Sequence, residues 1–205
     1  MDLKLTIQKV EEFAFKSCER HDGGHDRWHL DRVRRCALSI LEKEGNADRL
    51  IVEIASLLHD YGDSKFSSDY DRANVSDALG AFLRRLDLEE ELIREVIFIN
   101  RNISFSKGKN PGVISGEFMI VQDADRLDAI GAIGIARAFN YGGFRNNLIY
   151  EPSGSEPSTI SHFHEKLLKL KNMMNTETGR RLAADRHRYL EEFLERFHKE
   201  WKGEK

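Results

Sequence analysis

His59 and Asp60 are adjacent, and they close an apolar run, Ile51-Val52-Glu53-Ile54-Ala55-Ser56-Leu57-Leu58, that reads as a buried helix. An imidazole and a carboxylate withdrawn from water at such a helix end each need a partner. A divalent metal ion satisfies both at once, through a ring nitrogen and a carboxylate oxygen. Two candidate co-ligands stand elsewhere in the chain. One is His29; the other is Asp125, in Gln122-Asp123-Ala124-Asp125-Arg126-Leu127-Asp128. Asp123, Asp125 and Asp128 compete for the last ligand place. Asp125 and Asp128 share a helix face, so our assignment is ligation to Asp125 and the orientation of a neighbour to Asp128. Two neutral imidazoles and two carboxylates neutralise a divalent ion and leave about two octahedral positions for water or a substrate oxygen. Such an ion polarises a phosphoryl oxygen and makes a bound water nucleophilic near neutral pH.

Other residues bear on the same chemistry. Asp63 lies four residues after His59, beyond Gly62, a residue that lets the chain turn back. It is the first candidate for activating or orienting water, with Asp60 beside it. Helix capping or an ion pair with Lys65 is its alternative. Phosphate needs cations: arginine binds it bidentately and lysine as a point charge. The candidates are Arg32, Lys65, Arg126, Arg145 and Lys166. Arg126 serves equally well as the partner of an acid. His25 precedes His29 by four residues, so an early helix start would put both on one face as metal or phosphate contacts. His21-Asp22 and His25-Asp26 otherwise sit in a glycine-rich polar stretch, where solvation or capping accounts for them. His162 and His164 alternate at a helix start, so at most one reaches the site. His187, in Arg186-His187-Arg188, reads as a surface or local ion-pair residue.

The elements that must position these groups are helices. Apolar residues recur at helical spacing near 3–20, from about 26 to 44, over 47–60, through Val75–Leu86 and through Leu92–Ile99. Asp26 is the expected N-cap of the second helix and Gly45 its stop. Residues 115–128 and 130–139 predict two closely coupled helices. Roughly 141–158 reads as a long irregular stretch, suited to a lid, and two final helices cover 159–174 and 178–201. No segment alternates with period two. The expectation is an all-α, single-domain bundle of roughly eight helices over residues 1–205, its core at 20–140 with the C-terminal helices packed on it.

Composition bounds the function. The chain has 205 residues, 40% hydrophobic and 33% charged, with a net charge of -3. There is no global basic field to hold nucleic acid or an anionic membrane. Phosphate binding must therefore be local. The two cysteines, Cys18 and Cys36, form neither a disulfide framework nor a CxxC motif. With no signal-peptide layout and no apolar run near ~20 residues, the expected location is the cytoplasm. The expected partner is a small phosphorylated substrate, a nucleotide; monomer and homodimer are both compatible.

The pattern His29-x-x-Arg32-Val33, then His59-Asp60, then Ala124-Asp125-Arg126-Leu127-Asp128 resembles the HD superfamily of metal-dependent phosphohydrolases. Three flanking stretches resemble its single-domain YedJ-like subfamily. They are Gly24-His25-Asp26-Arg27-Trp28-His29, Asp123 through Arg137, and His162-Phe163-His164-Glu165-Lys166-Leu167-Leu168. The likeness runs from about residue 20 to 200. It implies an all-helical fold, one divalent metal held by His29, His59, Asp60 and Asp125, and hydrolysis of phosphate esters, often nucleotides. Members with two metals carry extra histidines after the HD pair. This chain has none between His59 and His162, and Asn100, Arg101 and Asn102 stand where such ligands would come. The expectation is therefore a single ion: Mn, Fe, Co, Ni, Zn or Mg. Asp63 resembles the acid that follows the HD pair in stringent-response hydrolases. Ser64 leaves that enzyme type's acidic pair incomplete, which weighs against a guanosine-tetraphosphate-type pyrophosphohydrolase. A non-catalytic nucleotide- or metal-binding regulatory protein is the other alternative.

Overall fold

The computed structural model describes residues 2–18, 26–62, 72–104 and 112–204. Among the described residues there are nine α-helices, one 3-10 helix and no strand. The α-helices are α1 (Leu3–Cys18), α2 (Arg27–Glu44), α3 (Arg49–Leu58), α4 (Arg72–Arg84), α5 (Glu90–Asn102), α6 (Gly116–Asp128), α7 (Gly131–Phe144), α8 (Thr159–Glu165) and α9 (Glu177–Trp201). The 3-10 helix is Leu167–Met173. No described helix is long and apolar enough to cross a membrane. The chain divides into two compact units, the second running from Asp123 to the end of the chain.

In the first unit α3 is the central element, packed against α1, α2 and α5, while α4 packs on α5. Its sequence explains that place: Val52, Ile54, Ala55, Leu57 and Leu58 are all buried. α2 offers the amphipathic counterpart, burying Leu30, Val33, Ala37, Ile40 and Leu41. One arginine binds three helices together. Arg34 of α2 reaches Glu53 of α3 at 2.7 Å and Glu11 of α1 at 3.3 Å. The caps of α2 are where the sequence places them, and α3 is capped in the same way. Asp26 and Asp48 accept from the first backbone N–H groups of α2 and α3, and Gly45 closes α2 in a left-handed conformation. Gly62, with φ +66, makes the turn that follows the HD pair. A Cβ there would lie 2.6 Å from Val75 Cγ1, so both backbone and space require glycine.

In the second unit α9 packs on α7 and on the 3-10 helix, and α8 packs on α7 and the 3-10 helix. Phe139, Phe163 and Phe193 meet there with ring centroids 5.7–6.0 Å apart. Two expectations need correction. The irregular stretch does not begin at 141, because α7 continues through Gly142 and Gly143 to Phe144. Gly142 is buried against Thr159, whose Oγ1 would lie 2.1 Å from an added Cβ, so this glycine serves close packing rather than a break. The helix expected over 159–174 is two pieces, α8 and the 3-10 helix, parted at Lys166 with φ -132. The intervening loop is tied at its ends, with Thr159 N donating to Leu148 O and Ile160 N to Ile149 O. Cys36 is half-buried.

Candidate metal centre

The first unit brings three donor atoms together. His29 stands in the first turn of α2, where its backbone N–H donates to Asp26 Oδ1 at 2.9 Å. Asp26 is thus a helix cap. His59 and Asp60 follow the last residue of α3. His29 Nε2 and His59 Nε2 face each other at 3.2 Å, and Asp60 Oδ2 lies 3.3 Å from the first and 3.4 Å from the second. Both imidazoles are fully buried, and the carboxylate is 15% exposed. Adjacent ligands around an ion with bonds of about 2.0–2.2 Å stand about this far apart. Two ring nitrogens and one carboxylate oxygen, closed into a triangle and open to solvent on the Asp60 side, fit a divalent ion.

The surroundings set the chemistry of those atoms. His59 Nδ1 is 2.8 Å from Ser56 O. A carbonyl only accepts, so Nδ1 carries the proton and Nε2 keeps its lone pair for the centre. Asn100 of α5 is a residue that sequence reading did not single out as functional. Its Nδ2 lies 2.8 Å from Leu58 O, 3.0 Å from Tyr61 O and 3.3 Å from His59 O. Nothing in its local spacing signals this, because the partners lie some forty residues upstream.

In the second unit the three acids at the end of α6 separate by role. Asp123 is fully buried. It accepts from Asn175 N, Thr176 N and Thr176 Oγ1, each at 2.8 Å, and from Asn175 Nδ2 at 3.0 Å. Burial pushes its carboxyl above the usual range, against the pull of those donors and of Arg126. Asp128 accepts from Arg137 Nη1 at 2.8 Å. Asp125 is the half-buried acid between them.

The candidate phosphate contacts also have places. Arg126 is buried and donates through Nη1 to Met173 O. Desolvation lowers its pKa, while Asp123 and Asp125 raise it. Arg32 is half-buried on α2. Arg145 follows the last residue of α7 and is exposed, its guanidinium 5.9 Å from the Tyr141 ring. Lys166 is half-buried at the break between α8 and the 3-10 helix. His25, Asp63 and Lys65 lie outside the described residues. His187 is a correction: it is buried on α9, not at the surface, although its Nε2 does pair with Glu191 at 3.3 Å. The position follows from its place in the buried stripe Ala183, His187, Leu190 and Leu194.

Of the α8 pair, His164 is exposed and His162 half-buried. Burial, and then the Lys166 cation, push the His162 imidazole below its ordinary value. The sign of the consequence is fixed: the unfolded chain takes up this proton first. Stability from His162 is therefore complete above about pH 6.5 and declines as pH falls from there toward the lowered folded value. Urea unfolding at pH 7.5 and pH 5.0 should show a smaller acid loss in His162→Gln than in the parent; equal losses would contradict the assignment.

This all-helical scaffold, with an HD pair at the end of a buried helix, is that of the HD domain, and the HD-domain model matches residues 28–130. The chain belongs to that family. It is 43% identical over 184 residues to the uncharacterised protein YpgQ of Bacillus subtilis, covering 88% of this chain and 86% of that one. The uncharacterised protein L803 of Acanthamoeba polyphaga mimivirus is 33% identical over 153 residues, covering 69% and 62%. Among solved structures, YpgQ in complex with ADP superposes with a TM-score of 0.79 at 36% identity, over 98% of this chain and 97% of that one. An HD-superfamily hydrolase from Bacillus thuringiensis gives 0.76 at 42% identity, over 98% of each. HD domains bind divalent metals, and this chain carries histidine and aspartate residues that could hold one.

Proposed function

We propose that the protein is a mononuclear, divalent-metal-dependent phosphohydrolase acting on a nucleotide or another small phosphoester. The observation that carries this reading is the triangle of His29 Nε2, His59 Nε2 and Asp60 Oδ2, 3.2–3.4 Å on a side, at the end of a buried helix. Asp125 is the proposed fourth ligand. The ADP bound to YpgQ supports a nucleotide as substrate. A divalent ion in this donor set would polarise a phosphoryl oxygen and lower the pKa of a bound water. The chain's own residues supply the rest. Ser56 O holds the His59 ring in the tautomer that presents Nε2. Asp63, with Asp60, is the proposed group that accepts the water's proton. Arg32, Lys65, Arg145, Lys166 and His25 are the proposed phosphate contacts; Arg126, buried on Met173 O, would contribute chiefly its charge.

The test is direct. Chelator-stripped protein is reloaded in turn with Mn²⁺, Fe²⁺, Co²⁺, Ni²⁺, Zn²⁺ and Mg²⁺ and offered a panel of nucleotides and simpler phosphate esters. Metal-dependent release of phosphate or pyrophosphate is expected, with Asp63→Asn slowing turnover more than it weakens substrate binding. Metal-replete protein that hydrolyses nothing, yet melts higher with nucleotide, would establish the binding-protein alternative instead.

A further inference from the structure

The end of α3 poses a problem that Asn100 answers. The last carbonyls of a helix have no partner within it. Here the C-terminal end is where the metal-binding pair begins, so loose carbonyls would let the backbone of His59 and Asp60 adjust. Asn100 Nδ2 carries two hydrogens and meets three carbonyl oxygens of this one turn, those of Leu58, His59 and Tyr61. The His59 carbonyl belongs to the peptide plane that leads into Asp60. The Tyr61 carbonyl belongs to the plane leading into Gly62, whose positive φ reverses the chain. One amide, delivered from the end of α5 in the same unit, thus holds the plane that leads into Asp60 and the plane that leaves Tyr61, while Tyr61 N, in the plane between, donates to Leu58 O at 3.0 Å. Ser56 O fixes the His59 ring from the other direction.

We infer that Asn100 is a positioning residue of the metal centre. Its amide nitrogen is engaged by backbone carbonyls. It acts through the backbone of the HD turn, setting the Cα–Cβ directions of His59 and Asp60 before an ion arrives. The inference rests on the metal reading above.

The experiment titrates chelator-stripped protein with Mn²⁺ by calorimetry and records the Co²⁺ absorption spectrum, alongside circular dichroism and melting. The variants are Asn100→Leu, of similar volume but with no donor, and Asn100→Gln, which keeps the amide. Asn102→Leu is the control, since among the described residues that amide donates to Phe98 O within α5, at 2.8 Å. Asn100→Leu should weaken Mn²⁺ binding about ten- to a hundredfold, the range for loss of a ligand-orienting partner, and alter the Co²⁺ spectrum. Asn100→Gln should recover part of both, and Asn102→Leu should bind as the parent does. A folded Asn100→Leu protein with parental affinity and spectrum overturns the proposal. If the leucine variant does not fold, parental affinity and spectrum in Asn100→Gln together with Asn100→Ser overturn it equally. Failure of the parent itself to bind any ion overturns the metal reading, and is distinguishable because it is seen before any substitution.

Discussion

Replacing His59 by alanine should remove tight divalent-ion binding and, with it, turnover. The imidazole supplies one corner of a three-atom triangle whose other corners, His29 Nε2 and Asp60 Oδ2, are 3.2 and 3.4 Å away. A directly bonded donor should cost more than the roughly ten- to hundredfold assigned to an orienting partner. The fold should survive. Alanine leaves Ser56 O without its ring partner, a loss of about 1–3 kcal/mol. It also removes the 3.2 Å contact between His59 Nε2 and His29 Nε2. The clean readout is the melting temperature with and without Mn²⁺. Parent protein with ion at a hundred times its Kd should gain about 2.7 kcal/mol, and His59→Ala should gain almost nothing. An ion-induced rise of the same size in both proteins would remove His59 from the donor set.

The second large effect concerns stability. Asp123→Ala should destabilise the second unit by roughly 2–5 kcal/mol, because the backbone N–H groups of Asn175 and Thr176 lose their acceptor inside the protein. Thr176 caps α9, the longest described helix, so the loss falls at a point where a long element starts. Asp123→Asn keeps one oxygen acceptor and should recover part of the loss. The charge itself has a cost here. Burial raises the folded-state pKa, so the folded protein takes the proton more readily than the unfolded chain. The contribution of this titration is complete below the ordinary carboxylate range and is lost as pH rises through the raised value. Urea unfolding of parent, alanine and asparagine proteins at pH 7 decides the point: a change under about 1 kcal/mol for alanine would mean those N–H groups find other partners.

The helices were legible because their apolar faces repeat with the helical period and the ends of α2 carry Asp26 and Gly45. The HD pair was legible for a different reason: a carboxylate and an imidazole at the end of so apolar a run demand a partner. What escaped the sequence depends on residues far apart in it. Asp123 and Asp125 stand in the same apolar context, and only the arrival of Asn175 and Thr176 assigns Asp123 to holding the segment that leads into α9. Asn100 looks like an ordinary polar helix end until Leu58, His59 and Tyr61 are placed beside it. His187 carries charged neighbours in sequence but falls on the buried stripe of α9. Gly142 resembles a helix breaker until Thr159 occupies the space a Cβ would need.

Asp123 and Asp125 share one turn of α6, so on the proposed donor set a metal ligand and the acceptor that holds the start of α9 hang from the same turn. Anything that immobilises Asp125 also steadies the carboxylate two residues before it, and therefore the two amides that donate to it. Coupling of this kind runs both ways. On the proposed donor set, deuterium uptake at Asn175 and Thr176 should slow when an ion is added. The protein would then report occupancy of its metal centre through two backbone amides that touch neither ion nor substrate.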